Sequence, residues 1–334
     1  MPCSPIFLDA ETDGLKPTKV WIVVTMQDGV LQEHYDPESL KAALEGDGYV
    51  VGHNLLGYDI PVLKRLWDVE IDKDRVKDTL VMSRLANPQL DKGHSLRAWG
   101  ERLQFPKGDH EDWSCLSQEM IDYCKRDVEV TAALYNKLEW DLRNFSNESV
   151  KLEHRVQDIT QQQVRNGWLL DSRRATELVS TLREKLNDLE DAVQDTFRPL
   201  PTFVKEIQPK VKKDGAISVV GLKFLGDSWE TVGGPFSRVD YPEFNLGSRQ
   251  QIGRYLQHYG WKPCNFTETG QAMVDEKVLE GIKDIPQAAL ISEYLMVQKR
   301  IAQVQSWIDA VDDDTGRVHG KVNTNGAGTG RMTH

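Results

Sequence analysis

The run Pro5-Ile6-Phe7-Leu8-Asp9-Ala10-Glu11-Thr12-Asp13-Gly14 constrains this chain more than any other. Its apolar residues predict a short strand, which needs a sheet to lie in, and the strand ends on two carboxylates one residue apart. Side chains at i and i+2 project from the same face of a strand, so Asp9 and Glu11 reach toward one point. Gly14 lets the chain turn away from it. Two carboxylates held in this way suit a hard divalent cation such as Mg²⁺ or Mn²⁺. Taken alone, the same pair also suits a strand end that faces water.

Two further segments point to the same chemistry. Tyr49-Val50-Val51-Gly52 predicts a buried strand, and Ile60, Val62, Leu63, Leu66 and Trp67 predict an amphipathic helix. Between them runs His53-Asn54-Leu55-Leu56-Gly57-Tyr58-Asp59, which sets Asp59 at a strand-to-helix junction. There it serves either as a ligand or as the N-cap of the helix. The segment from Gln118 to about Leu142 carries a helical apolar stripe: Met120, Ile121, Val128, Ala132, Leu134 and Leu138. Ser117 is its expected N-cap. Tyr123 and Asp127 stand at i and i+4 on one face of that helix.

In this order, Asp-x-Glu-Thr-x-Gly, His-Asn-x-x-x-Tyr-Asp and Tyr-x-x-x-Asp resemble the three motifs of the DEDDy 3′–5′ exonucleases, and no motif position departs from that pattern. The resemblance covers residues 1–146 and implies a ribonuclease H-like α/β domain, a mixed sheet flanked by helices. A hairpin predicted from Val20 to Tyr35, turning at Asp28-Gly29, fits such a sheet. The resemblance also implies two divalent metal ions, Mg²⁺ or Mn²⁺. Asp9 would bridge them, Glu11 and Asp127 would complete the site of the water-activating ion, and Asp59 would act on the second. Tyr123 would orient the attacking water; with an ordinary pKa near 10 it suits positioning rather than general-base work. Asn54 would contact the substrate, a single-stranded DNA 3′ end.

Length and charge set the wider frame. The 334 residues argue for at least two domains. No apolar run approaches a membrane span, so no membrane partner is expected. Cys3, Cys115, Cys124 and Cys264 lack a CxxC spacing, which disfavours a zinc site or disulfide framework and fits a reducing cytoplasm. Net charge is −11, but residues 1–150 hold 17 Lys and Arg against 27 Asp and Glu. The acidity thus collects where the metal-binding carboxylates are expected, leaving the remainder near neutral and able to meet phosphates.

After the polar run Arg143–Asn147, helices are expected over about 148–166, 172–196, 248–259, 275–282 and from Pro286 to about Val311, the last long enough for a free-standing arm. Asn166-Gly167 should stop the first and Asp171 should cap the second. Residues 198–245, rich in turn formers, read as a surface connection between helices. With the closing Val318-His319-Gly320-Lys321-Val322-Asn323, Gly326 and Thr329-Gly330-Arg331, residues 147–334 resemble the start of the polymerase region of phage-type family A DNA polymerases. This implies a mainly helical thumb, an insertion at about 198–245 and the start of a palm at about 317–334. Arg331 would lie near the primer-template, whereas Lys299 and Arg300 also suit a solvated helix face. Some phage polymerases recruit a processivity factor at the insertion, but no motif match identifies one here.

Asp312-Asp313-Asp314 reads as a turn, and no stretch of the 334 residues is expected to supply a palm carboxylate pair or a fingers helix. The expectation is a proofreading exonuclease joined to the front of a replicative polymerase, with nucleotidyl transfer not expected from this chain alone. A separate chain carrying palm and fingers is then a candidate partner. A phage-encoded protein of this kind would act in the cytoplasm of the infected host cell. The alternatives are a stand-alone DEDDy nuclease acting on RNA or DNA, and a DNA-binding subunit of a split polymerase.

Overall fold

The computed structural model describes residues 4–334 and forms two compact units, one running to Trp168 and taking in Arg317–His334, the other Leu169–Gly316. The first unit is built on five strands: β1 (Ile6–Thr12), β2 (Val20–Gln27), β3 (Val30–His34), β4 (Val50–Gly52) and β5 (Val76–Asp78). Their order is β3-β2-β1-β4-β5, antiparallel across β3, β2 and β1 and parallel across β1, β4 and β5. The sheet is therefore mixed, with β1 at its centre. Asp28 and Gly29 both have positive φ, 51° and 78°, as the tight β2–β3 turn requires.

Alternation along the strands gives the sheet two apolar faces. Ile6, Leu8, Ala10, Val23 and Val50 pack with α1 (Pro37–Ala43) and α2 (Asp59–Trp67) through Leu40, Ile60 and Leu63. Phe7, Ile22, Val24 and Val51 pack on the other side with Val128, Leu134 and Leu138 of α5 (Gln118–Asp141). Met82 of α3 (Thr79–Ala86), Trp99 of α4 (Leu96–Arg102) and Val150 of α6 (Asn147–Asn166) complete that layer. Burying each such large side chain stabilises by roughly 1.5–3 kcal/mol. Asp9 and Glu11 continue the odd series begun by Phe7, so they face the α5 layer where its core gives out.

Helix ends follow local chemistry. Asp36 accepts from Ser39 N–H ahead of Pro37 and so caps α1, and Ser117 accepts from Met120 N–H, the cap expected for α5. Gly167, with φ +60°, ends α6. No described helix is long and apolar enough to cross a membrane. Among the described cysteines, Cys115, Cys124 and Cys264 are free; Cys3 lies outside the described residues.

The second unit is mainly helical: α7 (Ser172–Thr196), α8 (Arg249–His258), α9 (Glu276–Gly281) and α10 (Pro286–Asp309). Asp171 caps α7 through Arg174 N–H, and α7 packs along α10. Ala288, Ile291, Tyr294 and Val297 are buried in one cluster with Leu189, Val193 and Phe197. The long helix is thus no free-standing arm: its apolar residues recur every three or four positions and form a seam that must be covered. Lys299 and Arg300 lie on its exposed side, Lys299 paired with Glu276 at 3.2 Å. Within 198–245, Thr202–Ile207 and Phe236–Asp240 form an antiparallel ribbon where a plain connection was expected. The run Thr202-Phe203-Val204 favours strand and finds a partner some thirty residues on, which the intervening prolines and glycines obscure in sequence. Asp312 accepts from Thr315 N–H at 3.0 Å, consistent with a turn.

Candidate active site

Three elements bring the carboxylates together. The end of β1 supplies Asp9 and Glu11, the first turn of α2 supplies Asp59, and the middle of α5 supplies Asp127. Asp59 is not the N-cap of α2; Tyr58 holds that position, its side chain bonding none of the helix's own N–H groups, and Asp59 is buried within the first turn. The loop before it is fixed from below by Asp78, a buried carboxylate that accepts from the N–H groups of Asn54 (2.9 Å), Leu56 (3.0 Å) and Leu80 (3.0 Å). These bonds hold Asn54 in the left-handed region at φ 65°. From above, Tyr58 hydroxyl donates to the Gly14 carbonyl at 2.8 Å and lies 2.6 Å from Thr12 Oγ1. The turn after β1 and the start of α2 are thereby locked to each other.

The electrostatics are those of crowded, buried carboxylates. Burial first, then the Asp127 charge, pushes Asp9 up to about 8. Burial, then Asp9 and Asp127, pushes Glu11 up to about 10. Asp59 is raised well above the carboxylate range by burial and then by Asp9. Burial raises Asp127 as well, although Lys107 opposes it. One oxygen of Asp127 is paired with the Lys107 ammonium, while the other, Oδ1, is buried without a hydrogen-bond partner. A buried oxygen left without a hydrogen-bond partner is costly unless another group or a cation satisfies it. The oxygen donors and the orphaned Oδ1 therefore fit hard divalent cations.

Tyr123 and Asp127 share a face of α5, as their spacing predicts. Lys107 links them: its Nζ lies 4.6 Å from the Tyr123 ring centroid while it pairs with Asp127. Burial alone would lower the Lys107 pKa, but Asp127 outweighs it and holds the ammonium above the usual lysine range. Burial and then Asp127 raise the Tyr123 phenol, so it stays protonated at neutral pH. Trp113 and His110 pack edge-on or tilted against its ring at 5.8 Å.

Sequence reasoning missed two residues here. Lys107 sits in an irregular segment with no periodic signal. Cys124 is fully buried, with Sγ 3.6 Å from Asp9 Oδ2 and 3.5 Å from the Asp9 carbonyl. Its signal was available: Cys124 precedes Asp127 by three residues and so shares its helix face.

Beside the carboxylates lies a cleft of about 810 Å³, and Lys107 and Tyr123 form part of its wall. Asn54, Arg84, Arg97 and Lys321 also line it, and no carboxylate does. The Lys321 side of the wall comes from the closing segment, anchored by Thr324 Oγ1 donating to Gln157 Oε1 at 2.8 Å and by Asn325 Nδ2 donating to Glu153 at 2.7 Å. Arg331 does not line this cleft; it is exposed, and its Nε donates to Thr329 Oγ1 at 3.0 Å.

Comparison with known proteins bears on this arrangement. The sequence model of DNA polymerase family A matches residues 232–334. The "DNA-directed DNA polymerase" of Enterobacteria phage T3 is 33% identical over 390 aligned residues, covering 89% of this chain and 55% of that protein. The "DNA-directed DNA polymerase" of Escherichia phage T7 is similar to the same extent, 33% identical with the same coverage. The chain thus spans about half the length of the curated relatives it matches. Among solved structures, the POL domain of Pol1 from M. smegmatis, in complex with DNA primer-template and dNTP, aligns with a TM-score of 0.64 at 15% identity. That match covers 98% of this chain and 50% of the other, a likeness of fold.

Proposed function

The chain is a sequence relative of the family A DNA polymerases, and on that premise we propose that it is the front portion of a replicative DNA polymerase carrying a metal-dependent 3′–5′ proofreading exonuclease. The nuclease would lie in residues 1–146, read as ribonuclease H-like, and residues 147–334 would open the polymerase region. One observation carries this reading: four carboxylates from three elements share a buried site, with an orphaned Asp127 oxygen, beside a cleft whose charged lining is cationic. The mixed sheet, with the carboxylate pair on its central strand, supports the same assignment.

Asp9, Glu11 and Asp127 would hold one divalent cation, and Asp9 with Asp59 the second. When bound, the cations supply an activated water and shield the charge that develops on the phosphate. The chain's own groups do the rest. Tyr123, protonated and braced by Trp113 and Lys107, presents its hydroxyl to orient the water. Arg84, Arg97 and Lys321 draw the anionic strand along the cleft, with Asn54 available for a polar contact near the terminal nucleotide. This local field reconciles a net charge of −11 with a nucleic-acid substrate. Arg331, exposed on the closing segment, would meet the primer-template.

The test is incubation of the full chain with 3′-labelled single-stranded DNA, with and without Mg²⁺. Stepwise release of labelled mononucleotide is expected only with the metal, and none from Asp9→Ala. Metal-independent release, or none from the unmodified chain with Mg²⁺, would refute the reading.

A further inference from the structure

We propose that His154 is a positioning residue for the nuclease: it holds Asp78, and through Asp78 the loop 53–58 that carries Asn54 and leads into Asp59. His154 lies on α6, beyond the residues that the nuclease motifs cover, and is only 6% exposed. Its Nε2 stands 2.8 Å from the Asp78 backbone nitrogen, and its Nδ1 stands 2.8 Å from the Val150 carbonyl oxygen. A backbone N–H can only donate and a carbonyl can only accept, so Nε2 is the acceptor and Nδ1 carries the proton. The ring is therefore neutral and in a single tautomer. Burial, the largest influence on it, lowers its pKa and favours the same neutral form. In that form it ties the last residue of β5, a strand at the sheet edge, to α6.

The Asp78 side chain passes this constraint on. Its Oδ1 accepts from the N–H groups of Asn54 and Leu80, and its Oδ2 accepts from that of Leu56. The imidazole fixes the main chain from which those two oxygens project, so it fixes where the loop is held. A second contact runs between the same elements: Arg165 Nη1, near the end of α6, donates to the Leu56 carbonyl at 3.5 Å. The buried face of α6 is itself unusual. After Val150 it presents His154, Gln157 and Thr160, where an apolar stripe would be ordinary. A helix buried on polar groups docks only where each group finds its partner, so bond geometry rather than apolar area sets its place. Gln157 accepts from Thr324, and Thr160 donates to the Gln157 carbonyl; His154 is the member of this face bonded to β5. The shape of the second motif thus depends on a helix that begins after residue 146. The inference rests on the reading of Asn54 and Asp59 as nuclease site residues, but its main test uses no turnover.

Amide hydrogen exchange of the full chain in EDTA, followed by mass spectrometry, compares the unsubstituted protein with His154→Leu and His154→Gln. Leucine leaves the Asp78 N–H without an acceptor. Exchange over 53–58 and 78–80 should then quicken on the order of ten-fold or more, the scale set by a buried N–H left unsatisfied. Peptides from Ile6–Thr12 and Val20–Gln27 should keep their protection. Glutamine can offer an oxygen to the Asp78 N–H and an amide hydrogen to the Val150 carbonyl, so it should restore protection of the loop. In the nuclease assay, release of 3′-label should slow by about ten-fold or more in His154→Leu, as when an indirect partner of a site is lost, and recover in His154→Gln. If the leucine variant does not fold, Asp78→Asn tests the same connection. Its amide nitrogen would face the Leu56 N–H in place of Oδ2, and exchange over 53–58 should quicken. Unchanged exchange over 53–58 in folded His154→Leu, an equal rise across β1 and β2, or no recovery in His154→Gln would overturn the role of His154. So would loss of loop protection with an undiminished nuclease rate. Failure of the nuclease reading itself would appear separately, as no release of label from the unsubstituted chain.

Discussion

The sharpest consequence of the crowded carboxylates is a stability that falls as pH rises, and a metal that restores it. Asp9 and Glu11 have ordinary pKa values of 3.8 and 4.5 but stand at about 8 and about 10 in the folded chain. Both are raised acids, so their stabilising contribution is complete below the unfolded values. It is lost progressively as pH climbs through the folded ones, because the unfolded chain has already released those protons. A group that is protonated when folded and ionised when unfolded changes stability by about 1.4 kcal/mol per pH unit.

Between pH 7 and 8 Glu11 contributes nearly all of that slope and Asp9 somewhat less, giving about 2 kcal/mol in total. For a unit of this size, that corresponds to a Tm lower by about 4–8 °C. The comparison to make is thermal unfolding in EDTA, at pH 7 and pH 8, of the unsubstituted chain against Asp9→Asn/Glu11→Gln. The difference between the two proteins cancels the contributions of His34, His53, His94 and His154, whose pKa values burial lowers. Saturating Mg²⁺ or Mn²⁺ should flatten the slope, so its stabilisation is larger at pH 8 than at pH 7. Equal slopes for the two proteins in EDTA would show that the carboxylates are not held as described.

Three other outcomes follow from the same geometry. Asp9→Ala or Glu11→Ala should abolish Mg²⁺-dependent release of 3′-label, while Tyr123→Phe should retain more activity than either, because only water positioning suffers; full activity in Asp9→Ala would refute the ligand assignment. A mismatched 3′ end should be trimmed faster than a matched one, since the mismatch removes up to a few kcal/mol of unpairing cost; equal rates in a gel assay would leave a general nuclease rather than a proofreading one. Gly100→Ala should destabilise by roughly 1–3 kcal/mol, as overpacking does, because its Cβ would meet Phe105 O at 2.9 Å and Lys107 N at 3.0 Å; an unchanged denaturation midpoint would contradict that contact.

Much of this is legible in the sequence. The alternation in Ile6–Glu11, the cap at Ser117 and the i, i+4 pair Tyr123 and Asp127 are local facts, written in neighbouring residues and fixed by strand and helix periodicity. Periodicity also located α7 and α10, and the motif order identified the family resemblance. These are determined by the sequence itself, because backbone geometry makes side-chain direction a function of spacing alone. What periodicity does not carry is which element covers which. That α10 is sealed against α7, that 202–207 finds 236–240, and that the closing segment supplies Lys321 to the cleft are consequences of long-range packing. Lys107 and Cys124 belong to the same class. Nothing near Lys107 in sequence announces a carboxylate twenty residues away, and the spacing that puts Cys124 on the helix face of Asp127 does not say that its thiol will meet Asp9. Their chemistry arises only when tertiary burial strips water from the carboxylates and leaves neighbouring groups to answer their charge.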